Sequence, residues 1–201
     1  MLIEQPARFL RLLYPHALWR MSTEERAVYL TFDDGPIPEA TPFILDTLDA
    51  YDAKATFFMV GDNVRKHPEL FEEVVRRGHQ LGNHTFHHLG SFKHWTLTYA
   101  VDVTKAQALI PSPYFRPPHG DGTIGVVMWD LVTRDYSKWL NGDDVYNNVK
   151  RYARNGSIIT FHDSLKSIDK LKTALPRSLQ WLKDQGYEFK RLPDNPDETR
   201  F

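Results

Sequence analysis

Short runs rich in β-branched and aromatic residues alternate with stretches of helical character along almost the whole chain, and this alternation restricts the fold more than any other feature. The runs fall at 27–34, 55–60, 79–84, 113–117, 126–131, 157–162 and 187–192. ATFFMV at 55–60 is apolar without a break, as expected of a strand covered on both faces. Between the runs, Thr41 and Pro42 read as the N-cap and first residue of a helix reaching about Tyr51. Pro68 starts a helix with Leu70, Phe71, Val74 and Val75 as its apolar stripe, closed by Gly78. Helices are also predicted over 97–110, with Ala100, Val101, Val103 and Ala108 apolar, and over 143–154. A last helical region after Ser167 is predicted to be interrupted near Pro176. Alternation of this kind implies an α/β protein with a parallel sheet, open or closed into a barrel, and chemistry at the C-terminal strand ends.

One interval departs from the pattern. Only nine residues, PPHGDGTIG, separate Arg116 from Val126, whereas a crossover between parallel strands needs about a dozen or more. The expectation is that a loop is missing between Gly120 and Val126, or that a deletion has shortened it.

The length, 201 residues, suits one domain, with the motif-bearing core at about 27–192. The 25 basic and 26 acidic residues nearly cancel, which leaves no electrostatic footprint for nucleic acid. Cysteine is absent, so any metal must be held by His, Asp or Glu. The first residues are broken up by Arg8, Arg11, Pro15 and His16, with no uninterrupted apolar core of signal-peptide length. No segment approaches the roughly 18 apolar residues of a membrane span. A soluble protein is expected.

Two clusters carry chemistry. Asp33-Asp34 ends the first run and meets Gly35-Pro36, where a turning backbone can bring both carboxylates into one pocket. Taken alone, the pair reads equally as a helix cap or a turn. His84-Thr85-Phe86-His87-His88 places two imidazoles four residues apart, metal-ligand spacing on a helical turn, although a solvated loop has the same composition. Joined by Asp34, they make a two-His, one-carboxylate set that suits Zn²⁺, with Co²⁺, Ni²⁺ or Mn²⁺ as alternatives.

TFDDGP, HTFHH, FRPPHG, RDY and ITFHD occur in this order, each at a predicted strand end. Together they resemble the polysaccharide deacetylases of carbohydrate esterase family 4, whose shared unit is the NodB homology domain. The resemblance runs from about Val28 to Leu192. It implies a distorted (β/α) barrel and removal of N-acetyl groups from N-acetylhexosamine units of a polysaccharide such as peptidoglycan or a chitin-like glycan. Carried over residue by residue, Asp33 is the implied general base, and Asp34, His84 and His88 the implied metal ligands. Thr85 braces the histidine loop, Arg116 orients the base, and Asp135 tethers that arginine. His119, after Pro117 and Pro118, lends its backbone N–H to the oxyanion, and His162 is the general acid.

The chain departs from the family pattern at four positions: Val132 replaces an aspartate, Tyr136 a tryptophan, Thr160 a leucine of the acyl pocket, and His119 a common tyrosine or phenylalanine. None of these removes an implied ligand, base or acid. Pro117, Tyr136, Thr160 and Thr85 are grouped with His119 as candidate substrate-side residues. The alternatives are a deacylase of a small intracellular substrate, for which Thr160 is the cue, and a non-catalytic carbohydrate-binding relative.

Overall fold

The structure, a computed structural model, describes residues 4–7, 11–12, 15–90, 96–118 and 126–199. Its centre is β1 (Ala27–Asp33), buried at every position. β2 (Thr56–Met59) and β3 (Gln80–Asn83) lie to one side of it, β5 (Ile158–His162) and then β4 (Leu131–Val132) to the other. β6 (Glu188–Lys190) pairs with the first half of β1, and the ladders between these strands are all parallel.

Backbone pairing continues beyond β3. Asn83 forms a parallel bridge with Phe115, the Val127 N–H donates to the Phe115 carbonyl (2.8 Å), and β4 returns the path to β5. The pairing therefore follows a distorted barrel, carried on this side by one bridge and one backbone hydrogen bond. The sequence predicts full strands at 113–117 and 126–131. Pro113, Pro117 and Pro118 have no N–H to give to a ladder, which reduces the first to a bridge at Phe115. The second is reduced to the bridge at Val127 and the two residues of β4. The interval for which a missing loop is expected falls at 119–125, outside the described residues.

Side chains of β1 alternate between two cores. Val28, Leu30 and Phe32 pack outward against the helices, with Ile44, Leu48, Leu171, Leu175 and Leu179. Ala27 and Tyr29 point inward to meet Phe58, Tyr114, Val127 and Ile158. This two-sided burial is why the strands read as near-continuous apolar runs.

The helices are α1 (Thr41–Ala50), α2 (Gly61–Lys66), α3 (Pro68–Arg76), α4 (Thr96–Gln107), α5 (Gly142–Tyr152) and α6 (Ile168–Asp184). Three differ from the sequence expectation. Ala40, not Thr41, is the cap of α1, and the Thr41 hydroxyl instead accepts the Ile37 N–H (2.7 Å) and donates to Asp163 Oδ2 (2.7 Å). α6 runs through Pro176 without a break. The proline costs about 3 kcal/mol, but the buried stripe Leu171, Ala174, Leu175, Leu179 and Leu182 continues on both sides of it. Each large apolar side chain buried there contributes about 1.5–3 kcal/mol, enough to offset the break.

The third is α4. Ala100, Val101 and Ala108 face solvent, while Asp102 and Ala106 are buried. A carboxylate leads the inner face of this helix where apolar residues are expected. Among the described residues, no helix is long and apolar enough to cross a membrane.

Candidate active site

The C-terminal ends of β1, β3 and β5 bring Asp33, Asp34, His84 and His162 to one end of the barrel. Asp34 has left the strand with φ +83°, a left-handed conformation that aspartate tolerates better than most residues. That reversal is what lets two consecutive carboxylates enter one pocket. The Asp34 carbonyl accepts from Asn63 Nδ2 (2.8 Å), and its N–H donates to Phe58 O (3.2 Å), so the turn is fixed on both sides.

One donor atom from each of Asp34, His84 and His88 lies within 4.8 Å of the other two. His88 Nε2 is 3.1 Å and His84 Nε2 3.7 Å from Asp34 Oδ1. Donors about 2.0–2.2 Å from a tetrahedral zinc stand about 3.3–3.6 Å apart, so both distances to Asp34 are close to those of a divalent site. His84 Nδ1 lies 2.7 Å from the Arg116 carbonyl, which can only accept. The proton therefore sits on Nδ1 and leaves Nε2 with its lone pair free.

The histidines do not share a helical turn, as their spacing predicts. Residues 84–88 form a loop in which Thr85 (φ +65°) and His88 (φ +57°) are both left-handed. Thr85 braces it, with its hydroxyl accepting the Leu89 N–H (3.1 Å) and its N–H donating to Asn83 Oδ1 (2.9 Å).

Asp33 is held from below. Arg116, 1% exposed, donates from one terminal nitrogen to Asp33 Oδ1 (2.6 Å) and Thr31 Oγ1 (2.8 Å). Its other nitrogens donate to the carbonyls of Met128 (2.8 Å) and Val127 (3.2 Å), and the guanidinium lies 4.1 Å from the centre of the Phe58 ring. These partners leave Arg116 no role for Asp135, and the expected Asp135–Arg116 tether is not formed. Asp135, fully buried, holds His162 instead: Oδ1 lies 2.7 Å from His162 Nδ1, and Oδ2 accepts the His162 backbone N–H (2.7 Å). Arg116 sits inside the barrel beneath β1, whereas Asp135 lies beyond β4 at the end of β5.

The electrostatics follow from these contacts. Burial disfavours the charged form of His162, yet Asp135, with Asp34 and Asp33 behind it, overrides this and raises the imidazole to about 9. Burial, helped by the neighbouring His88, lowers His84 to about 4 against the pull of Asp33 and Asp34, so it is neutral, as a ligand must be. Burial would raise the Asp34 carboxyl, but the His88 hydrogen bond and the imidazoles of His162, His84 and His88 hold it well below the usual carboxylate range.

The remaining candidates divide by exposure. Tyr136, 36% exposed, sets its ring edge-on to His162 at 4.7 Å between centroids and offers surface at the site. Thr85, Pro117 and Thr160 are buried, so they support the site and offer no surface to a substrate. The Thr160 hydroxyl is 3.0 Å from Thr31 Oγ1, one layer below His162. Val132 is buried in β4, and His119 lies outside the described residues. Sequence reasoning missed Thr31, which shares a terminal nitrogen of Arg116 with Asp33. Its position two residues before Asp33 on the same strand face was the available signal.

Comparisons with known proteins agree with this geometry. The sequence profile described as "Polysaccharide deacetylase" matches residues 20–130. A peptidoglycan-N-acetylglucosamine deacetylase of Bacillus cereus is 32% identical over 192 residues, covering 87% of this chain and 90% of that one. A chitooligosaccharide deacetylase of Sinorhizobium fredii is 30% identical over 210 residues, covering 90% of this chain and 97% of its own. Among solved structures, the Bc1960 peptidoglycan N-acetylglucosamine deacetylase superposes with a TM-score of 0.81 at 29% identity, over 92% of this chain and 93% of that one. The chain belongs to the polysaccharide deacetylase family.

Proposed function

We propose that this chain is a metal-dependent deacetylase that hydrolyses the N-acetyl amide of N-acetylhexosamine units in a glycan, with peptidoglycan or a chitin-like chain as substrate. The observation that carries the reading is the convergence of Asp34, His84 and His88 between two separately braced groups, Asp33 on Arg116 and His162 on Asp135. The named activities of the relatives at about 30% identity support the same substrate class.

Amide hydrolysis needs an activated water, a stabilised tetrahedral oxyanion and a proton for the leaving amine. What a divalent cation, zinc by preference, supplies when bound by Asp34, His84 and His88 is a more acidic water and a polarised acetyl carbonyl. Asp33 is the base: Arg116 fixes one of its carboxylate oxygens, and the carboxylate is oriented to take a proton from water. His162 is the acid, charged at neutral pH through Asp135 and able to give its Nε2 proton to the departing amine. Tyr136 walls the pocket beside it.

A non-catalytic sugar binder would have no need of both braced groups. Acetate release from N-acetylglucosamine oligomers and from peptidoglycan, measured with and without a chelator, tests the reading. Chelator-sensitive release is expected, and turnover that survives complete metal removal would overturn it.

A further inference from the structure

The histidine loop contains a third imidazole that the proposed chemistry does not use. His87 does not belong to the group gathered at Asp34, and its Nδ1 lies 2.5 Å from Asp102 Oδ1 on α4. The other oxygen, Asp102 Oδ2, accepts two backbone N–H groups of the same loop, Phe86 and His87, each at 2.9 Å. Asp102 thus makes three bonds to the two residues just before His88. Its own burial is nearly complete, at 5% exposure.

The rest of the loop is held as fully. The carbonyls of Thr85 and Phe86 accept from the N–H groups of Gly61 (3.0 Å) and Asp62 (2.9 Å) at the start of α2. Asn83 Nδ2 reaches α4 at Val103 O (3.1 Å) and Gln107 Oε1 (3.0 Å). Two consecutive N–H groups, at 86 and 87, nonetheless depend on one carboxylate.

The cost to α4 shows that Asp102 is not filler. The helix places this carboxylate inside and leaves Leu97 and Val101 at 77% and 60% exposure. A helix recruited for apolar burial alone would be rotated the other way. Its inner face serves the loop.

We infer that Asp102, assisted by His87, is a positioning residue that fixes His88 relative to His84 and Asp34 and thereby sets the affinity of the site for its metal. Two left-handed residues, Thr85 and His88, bracket the segment it holds. Without three bonds to a fixed acceptor, that segment has lower-energy conformations in which His88 no longer faces Asp34. The inference deepens the metal reading and rests on it.

The test is zinc titration of the purified chain against a competing chelator, for wild type and for Asp102→Asn, Asp102→Ala and His87→Ala. Partners that orient metal ligands typically contribute 10–100-fold in affinity. Asp102→Ala, which removes all three bonds, is expected to raise the zinc Kd by about that factor, and Asp102→Asn, whose one oxygen can still accept both backbone N–H groups but which lacks the charge, by less but measurably. His87→Ala, which spares both backbone bonds, is expected to raise it by only a few-fold. Deacetylase kcat at saturating zinc should recover towards wild type in all three, because no reacting group is altered. Folded variants with wild-type Kd overturn the inference and leave the metal reading intact. A wild-type chain without zinc affinity overturns both. Should Asp102→Ala fail to fold, Asp102→Asn and His87→Ala carry the same decision.

Discussion

Asp33 and His162 are register partners across β1 and β5, two residues 129 positions apart that stand side by side at the same level of the barrel. Adjacent strands lie about 4.8 Å apart, so the parallel ladder itself sets the spacing between the proposed base and acid. Each is fixed by a different buried ion partner, Arg116 for one and Asp135 for the other. Asp135 raises the His162 imidazole towards its charged form, and the Asp33 carboxylate beside it adds to the same shift.

Asp33→Asn should separate binding from turnover. It removes the proposed base but leaves Asp34, His84 and His88 in place, so zinc stoichiometry should stay at wild-type level. Loss of a general base typically lowers the rate by about 10²–10⁴, and acetate release should fall by that order. Wild-type turnover in a folded Asp33→Asn protein would exclude the role.

His84→Ala and His88→Ala should each abolish stoichiometric zinc binding, measured by metal analysis after dialysis. Two protein ligands are too few for a stable site of this kind. His84→Ala should also lower thermal stability more than His88→Ala, because His84 is buried and bonded to the Arg116 carbonyl while His88 is 36% exposed on its side chain. Retention of one zinc per chain in either variant would remove that histidine from the ligand set.

Asp135→Asn should move the pH profile. With Asp135 charged, His162 is raised to about 9 against an ordinary value of 6.5. The protonated form is the acid, so loss of the counter-charge should shift the basic limb of kcat to lower pH. The same pair contributes to stability below about pH 6.5, and that contribution is lost as pH rises through about 9. Stability of the variant should therefore vary less over this window. An unchanged basic limb would show that another group sets it.

Much of this site was legible in the sequence because each chemical group sits at a strand end, where a change from apolar to polar composition marks it. Asp33, Asp34, His84, Arg116 and His162 are all of this kind. The partner of Asp135 was not legible, because it depends on which strands pair. Nothing local to TRDY reveals that β4 and β5 are neighbours, or that Arg116 fills its donors inside the barrel. The histidine loop was misread for a related reason. A four-residue spacing suits a helical turn, but left-handed residues at 85 and 88 bring the rings equally close, with centroids 5.0 Å apart. Pattern also failed at α4, where Val101 is exposed so that Asp102 can face the loop.

Thr160→Val tests whether the threonine in the fifth motif alters acyl preference. Its hydroxyl is 3.0 Å from Thr31 Oγ1 and the residue is 2% exposed. Valine should cost about 1 kcal/mol of stability through the lost hydrogen bond while leaving the ratio of acetyl to propionyl hydrolysis unchanged. A changed ratio would place Thr160 on the wall of the acyl pocket.

The closest approach in the site is that of Gly35 to Asp163. A Cβ on Gly35 would lie 2.0 Å from Asp163 Oδ2 and 2.6 Å from its Cγ. Asp163 cannot easily swing aside. Its Oδ2 accepts the Thr41 hydroxyl, which is itself pinned by the Ile37 N–H, and its backbone N–H donates to the Asp33 carbonyl (2.7 Å). Gly35→Ala must therefore push back the turn that carries Asp34. Overpacking of this kind costs about 1–3 kcal/mol, measurable by urea denaturation, and the displaced Asp34 should weaken zinc binding as well. Adding Asp163→Ala removes the atoms that collide, so the double variant should be more stable than the sum of the two single losses allows, with a coupling of at least about 0.5 kcal/mol. Strict additivity, or a Gly35→Ala protein as stable as wild type, would mean that the turn yields without cost and that glycine at 35 is not required for close packing.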